Sequence, residues 1–339
     1  MKVESPLVTV LMPVYNGQSY LGEAIESILN QSYKNFEFLI INDGSTDKTK
    51  EIICSYSDPR IRYVENETNI RLIATLNKGI LLANGEYIVR MDADDISLPQ
   101  RIEKQVAFME SHPAVGVCGS GFMIFGNSER QVRYPLMHKE ISVSMLFFNP
   151  ICHPASIWRT CIIKKHGLQF DPEYLHAEEY KFWIDFGKYA EFANIDQVLL
   201  NYREHTLQVS NKEAAIQNKT AVRIRKELFA QFGVFLNDQE MELWEELISV
   251  SDHFSNPDRV LLLLEKVVDI AKKNERFDNN CFIRKLAKKW KNALLQKQEL
   301  SLYEFKLFLH SPLNKANNWT LKQMAFVCLK VLKKKSNYK

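Results

Sequence analysis

The sequence predicts an α/β fold built on a mostly parallel sheet and followed by an all-α extension. Three observations predict it. Between residues 7 and 91, short apolar runs alternate with stretches whose apolar residues recur at helical spacing. This β-α-β-α-β-α-β order belongs to a parallel sheet with right-handed crossovers. The strands close on polar clusters at Tyr15-Asn16, Asp43 and Asp92 to Asp95, and such sheets bind ligands beyond the carboxyl ends of their strands. After Asn211 the strand pattern gives way to helical spacing alone, which places a boundary near residue 215.

Residues 7–17 are a continuous apolar run ending in turn residues, as expected of a strand buried on both faces. Leu21, Ala24, Ile25, Ile28 and Leu29 line one face of a covering helix over 20–29. A second strand over 36–41 ends in Asn42-Asp43-Gly44-Ser45-Thr46-Asp47, a turn that also caps a helix over 49–56. A third strand at 61–64 precedes a helix over 73–83, which Asn84-Gly85 terminates.

The fourth strand, 87–91, carries the densest chemistry, because Asp92-Ala93-Asp94-Asp95 follows it directly. Three carboxylates at the end of a buried strand need positive compensation. A divalent cation such as Mg²⁺ or Mn²⁺ takes oxygen ligands and often bridges to phosphate. In a strand, residues two apart share a face, so Asp92 and Asp94 are expected to point the same way. Capping of the next helix, near Ser97-Leu98-Pro99, is the alternative reading of these acids.

Further along, residues 99–110 read as an amphipathic helix, and 115–120 and 122–126 as two short glycine-bounded strands. Asn149-Pro150-Ile151-Cys152-His153-Pro154 is a shaped loop, since each proline disfavours helix before it. Glu178-Glu179 opens a helix, where the dipole favours acids. A strand-like stretch over 191–200 leads to Tyr202-Arg203-Glu204-His205.

No run of 18 uncharged apolar residues occurs, so no transmembrane helix is expected. The N-terminus enters a strand at once, so no signal peptide is expected. The six cysteines are scattered without a Cys-x-x-Cys pair, which fits free thiols in a reducing cytosol. The net charge of +3 hides an asymmetry: residues 1–210 hold 20 Lys and Arg against 26 Asp and Glu, and the remainder holds 24 against 15.

Met12-Pro13-Val14-Tyr15-Asn16-Gly17, Asn42-Asp43-Gly44-Ser45-Thr46-Asp47 and Met91-Asp92-Ala93-Asp94-Asp95 resemble, in order and spacing, the N-terminal signatures of family 2 glycosyltransferases of the bacterial surface-polysaccharide type. The resemblance spans residues 7–210. It implies the GT-A fold over 1–214, with a nucleotide-binding half (1–96) and an acceptor and catalytic half (97–214), ahead of a helical region over 215–339. It implies Pro13 and Tyr15 against the base of a UDP-sugar donor, Asp43 accepting from the uracil N–H, and Arg71 reaching the base. Asp92 resembles the first acid of the D-x-D motif, toward ribose or metal-bound water, and Asp94 the second, ligating Mn²⁺ or Mg²⁺. His153 would lie near the donor phosphate or the acceptor. Glu178-Glu179 is similar to the E-D pair that supplies the general base, with glutamate where aspartate is usual; Glu179 is the candidate base and Glu178 the next. Tyr202-Arg203-Glu204-His205, followed by residues 208–210, resembles the Y-R-x-H element, with Arg203 over the diphosphate and His205 as a further metal ligand.

These readings converge on an inverting hexosyltransferase acting on a polyprenyl-diphosphate-linked glycan, as in lipopolysaccharide, O-antigen or capsule assembly. The basic amphipathic stretches over 283–295 and 319–332, the latter followed by Lys333, Lys334 and Lys335, suit an anionic membrane surface. The expected location is therefore cytoplasmic, peripheral on the inner face of the plasma membrane. No nucleic-acid platform stands out. A catalytically silent sugar-nucleotide-binding subunit and a sugar-1-phosphate nucleotidyltransferase are the alternatives. The second lacks its glycine-rich phosphate loop, and a dinucleotide-binding dehydrogenase fails on the same ground.

Overall fold

A computed structural model describes residues 5–205, 213–249, 256–273, 278–296 and 300–311, together with positions 313, 323 and 327. The segment 206–212, which includes 208–210, and the lysines at 333–335 lie outside the described residues, as does most of the stretch 319–332. The chain divides into two compact units: Met1–Ser142 with Asn149–Ala221, and Val143–Phe148 with Val222–Lys339.

The first unit is built on one sheet. Strands β1 (Val8–Val14), β2 (Phe36–Asn42), β3 (Ile61–Glu65) and β4 (Tyr87–Arg90) alternate with helices α1 (Leu21–Leu29), α2 (Thr49–Cys54) and α3 (Arg71–Leu82). Then come β5 (Ile96–Ser97), α4 (Arg101–Ser111), β6 (Val115–Gly126), β7 (Arg130–Val132), α5 (His138–Ser144), β8 (Ile157–Arg159), α6 (Thr160–His166), α7 (Glu178–Phe186) and β9 (Glu191–Glu204). The strand order is β3-β2-β1-β4-β8-β6-β9-β5, with β7 beside β6. β1 to β4 pair in parallel, and β8 joins β4 antiparallel.

Both faces of the central strands are buried, as their unbroken apolar runs require. Val8, Val10, Met12 and Val14 pack with Leu21, Ala24, Ile25 and Ile28 of α1. On the other face Leu11 meets α3 at Gly79, where an added Cβ would lie 2.3 Å from a Leu11 methyl. The strand ends are kept level by cross-strand bonds: Asp43 N donates to Val14 O (2.8 Å) and Met91 N to Leu11 O (3.1 Å).

Three elements differ from their sequence reading. β4 stops at Arg90, so Asp92 and Asp94 leave the strand before sharing a face; a turn gathers them instead. Residues 115–126 form one strand rather than two, because its pairing with β9 absorbs the irregularity at Ser120, Gly121 and Phe122 as register shifts. β9 continues to Glu204, since Gly126 pairs with Glu204 and Ile96 with Asn201, which carries Tyr202 and Arg203 into the sheet.

In the second unit, Trp244 anchors the helical core. It meets Phe229 edge-on (4.8 Å between centroids) and Phe147 (5.3 Å), and its Nε1 donates to Leu146 O (3.0 Å). Helix Asp238–Ile248 opens on a capping box between Asn237 and Glu240. Helix Pro257–Lys272 buries Val260, Leu263, Leu264, Val267 and Val268. Among the described residues no helix is long and apolar enough to cross a membrane.

Candidate active site

The end of β2 forms the first part of the site. Asp43 is buried, and its Oδ1 accepts from Ile70 N (2.9 Å) and Asn66 Nδ2 (2.8 Å). Asn66 is oriented by its other end, where Oδ1 accepts from Lys78 Nζ (2.6 Å). Gly44 turns the chain at φ +67°, and a Cβ there would lie 2.7 Å from Asn69 N. Pro13 lies buried within β1, while Tyr15 is half exposed just past its end. Arg71 starts α3 with φ +71° and an exposed side chain, its N–H held by Asn69 Oδ1 (2.9 Å).

After β4, Asp92, Asp94 and Asp95 bring one carboxylate oxygen each within 4.8 Å of one another. Guanidinium groups stand around them. Buried Arg90 donates to Asp92 Oδ1 (2.5 Å). Buried Arg101 donates to Arg90 O (2.7 Å) and is braced by Gln105; burial lowers its pKa to about 10. Arg203 donates through its backbone N–H to Asp95 Oδ1 (2.9 Å) and through Nε to Asp94 O (2.8 Å). Its guanidinium lies between the rings of Tyr20 (4.4 Å) and Phe125 (4.5 Å) and pairs with Glu23 (2.9 Å). His205 Nε2 meets Asp94 Oδ2 at 3.0 Å. Burial, then Asp92, raises the Asp94 pKa; burial, then Asp92 and Asp94, raises that of Asp95 well above the carboxylate range.

The third part is the N-terminal turn of α7. Glu178 is buried, and burial raises its pKa. Glu179 keeps part of its surface open although protein surrounds its carboxylate; burial, then Glu178, pushes it up to about 8. Asn149 Nδ2 donates to Glu179 Oε1 (3.2 Å). The Asp92 charge acts on both glutamates, so the acid cluster and this pair share one electrostatic neighbourhood.

His153 occupies a 3-10 turn, His153–Ala155, and its ring sits among aromatics: stacked on Trp158 (5.7 Å), with Phe170 (5.5 Å) and Trp183 (5.9 Å) around it. Burial lowers its pKa far below the usual value, so the imidazole is neutral, and its Nε2 has no hydrogen-bond partner.

Arg90, Arg101, Asn66, Lys78 and Asn149 went unassigned in the sequence reading. Arg90 had a signal, being a lone charge in the apolar run Ile88-Val89-Arg90-Met91. Arg101 and Lys78 look like ordinary helix-surface cations, and Asn66 lies in a uniformly polar turn.

The acid cluster fits a divalent cation. Asp95 Oδ2 is buried without a partner, and burial, then the neighbouring carboxylates, raises Asp94 and Asp95. Carboxylate oxygens with one imidazole form a donor set suited to Mg²⁺ or Mn²⁺.

Fold and site together define a transferase of the GT-A class. The family model for glycosyl transferase family 2 matches residues 9–165. An uncharacterized glycosyltransferase of Haemophilus influenzae is 38% identical over 235 residues, which cover 66% of this chain and 73% of that one. The fold is similar to that of S. aureus TarS 1-349 in complex with UDP-GlcNAc (TM-score 0.58, 16% identity, 91% of this chain and 90% of that one). It is also similar to a mannosyltransferase from Pyrobaculum calidifontis in complex with GDP-Man and Mn²⁺ (TM-score 0.53, 16% identity, 93% and 86%). The chain belongs to glycosyl transferase family 2 and is a glycosyltransferase.

Proposed function

We propose that the chain transfers a hexose from a UDP-sugar to a hydroxyl of a lipid-linked glycan, with inversion at the anomeric carbon, in surface-polysaccharide assembly. One observation carries the reading: a cluster of three carboxylates, Asp92, Asp94 and Asp95, reaches the Glu178-Glu179 pair through the charge of Asp92. The first suits the donor diphosphate and the second the acceptor. Tyr15, Pro13, Asp43 and Arg71 border the base, with Asp43 accepting the uracil N–H. The UDP-GlcNAc held by TarS supports a UDP donor, and the Mn²⁺ held by the Pyrobaculum enzyme supports a metal.

Asp92, Asp94, Asp95 and His205 would hold a divalent cation, which would supply positive charge to offset that growing on the departing diphosphate. Arg203 adds fixed positive charge beside it. Glu179 takes the acceptor proton as the hydroxyl attacks, with Glu178 behind it. A glutamate whose pKa sits near 8 is a competent base at neutral to mildly alkaline pH. His153 supports the loop that borders the acceptor. Arg284 and Lys288, exposed on helix Asn279–Gln296, contact an anionic membrane at the inner face of the plasma membrane.

The test supplies purified protein and Mn²⁺ with UDP-, GDP- and dTDP-sugars and follows nucleoside diphosphate release with and without a lipid-diphosphate sugar. Acceptor-dependent release from one UDP-hexose is expected. Release from GDP-sugars alone would contradict the donor assignment. Donor binding without turnover under any acceptor would favour a binding subunit.

A further inference from the structure

The loop from Asn149 to Cys152 reaches Glu179 through a single oriented amide. Asn149 Nδ2 donates to Glu179 Oε1 at 3.2 Å, while Asn149 Oδ1 accepts from Ile151 N at 3.3 Å. An amide has one donor end and one acceptor end, so the Ile151 bond decides that the donor end faces the glutamate. The loop is itself pinned to the sheet. Asn194 on β9 donates through Nδ2 to Pro135 O (2.7 Å) and Pro150 O (3.1 Å), and its backbone N–H donates to Leu136 O (3.0 Å). Across the ladder, Gly119 makes room: a Cβ there would lie 2.2 Å from Asn194 Oδ1. Gly119, Asn194, Pro150 and Asn149 thus form a connected support ending on the carboxylate.

The ionisable groups that face Glu179 are Glu178 on its own helix, Asp92 from the loop after β4, and Tyr134. Both acids disfavour its charge. A neutral N–H donor favours it, because it is complementary to the ionised carboxylate.

We propose that Asn149 is the positioning residue of the acceptor-activating base, fixing the orientation of the Glu179 carboxylate and favouring its ionised form against burial and the neighbouring acids. This rests on the reading of Glu179 as that base. It assigns a role to the Asn149–Cys152 loop distinct from contact with donor or acceptor.

The experiment titrates the full-length protein carrying ¹³C-carboxyl glutamate, with the Glu179 resonance identified from Glu179→Gln. Asn149→Ala removes the donor, and Asn149→Asp preserves the shape while removing it. The Glu179 midpoint is expected to move up by about one pH unit in Asn149→Ala and further in Asn149→Asp. The ascending limb of kcat/KM against pH should move with it, using whichever UDP-sugar of the panel is turned over. A midpoint unmoved in either folded variant, or a loss of rate equal at every pH, would overturn the proposal. The two failures separate cleanly. Wild-type turnover by Glu179→Gln sinks the base assignment, whereas inactive Glu179→Gln with unmoved midpoints sinks the role of Asn149 alone.

Discussion

Two groups of carboxylates, one in the turn after β4 and one in the first turn of α7, have different partners. Asp92, Asp94 and Asp95 are ringed by Arg90, Arg101, Arg203 and His205, each fixed by further contacts. Buried Glu178 and partly open Glu179 adjoin in the first turn of α7, with an amide as the hydrogen-bond donor to Glu179. Burial and neighbouring acids disfavour charge in both groups, but among the described residues only the first has cations fixed beside its carboxylates, a setting that a bound divalent cation would complete. The second leaves a carboxylate that gains from holding a proton. Environment rather than residue type divides the labour between charge-holding and proton transfer.

The largest expected effect comes from breaking the first group. Asp94→Ala should lower turnover by at least about a thousandfold and abolish Mn²⁺ binding, followed by calorimetry. Next comes the buried scaffold beneath it. Arg101→Gln removes a cation from beside buried Asp95 and should cost about 3–5 kcal/mol of stability, measured by urea unfolding.

The second group sharpens the contrast through pH. Folded Glu179 holds its proton to about 8, against an ordinary value of 4.5. The folded state therefore binds the proton more tightly than the unfolded chain does, and this contribution fades as pH rises from 4.5 toward 8. Glutamine has no proton to lose. Glu179→Gln should melt at least about 3 °C above wild type at pH 9 and near wild type at pH 5. The smallest effect lies at the base pocket: Lys78→Ala frees the Asn66 amide and should raise the donor KM about threefold with kcat unchanged.

The sheet was legible because continuous apolar runs and helical spacing are local signals. The acids were legible for the same reason, three of them falling within four residues. Their compensation was not. The sequence reading looked to a bound cation, and the structure adds arginines from β4, α4 and β9, whose convergence depends on strand order rather than on spacing. The end of β4 was misplaced by one residue because Met91 is apolar, yet it lies past the last ladder pair, Leu11 with Arg90. His153 was read toward the donor or acceptor from its loop. Its aromatic surroundings come from residues 158, 170 and 183, which no local pattern joins to it.

The division of labour is tested most directly by measuring donor binding and turnover side by side in Glu179→Gln. The account predicts Mn²⁺ and UDP affinities within about twofold of wild type, with kcat down by at least about a hundredfold. Undiminished kcat, or loss of metal and nucleotide binding together with turnover, would contradict it.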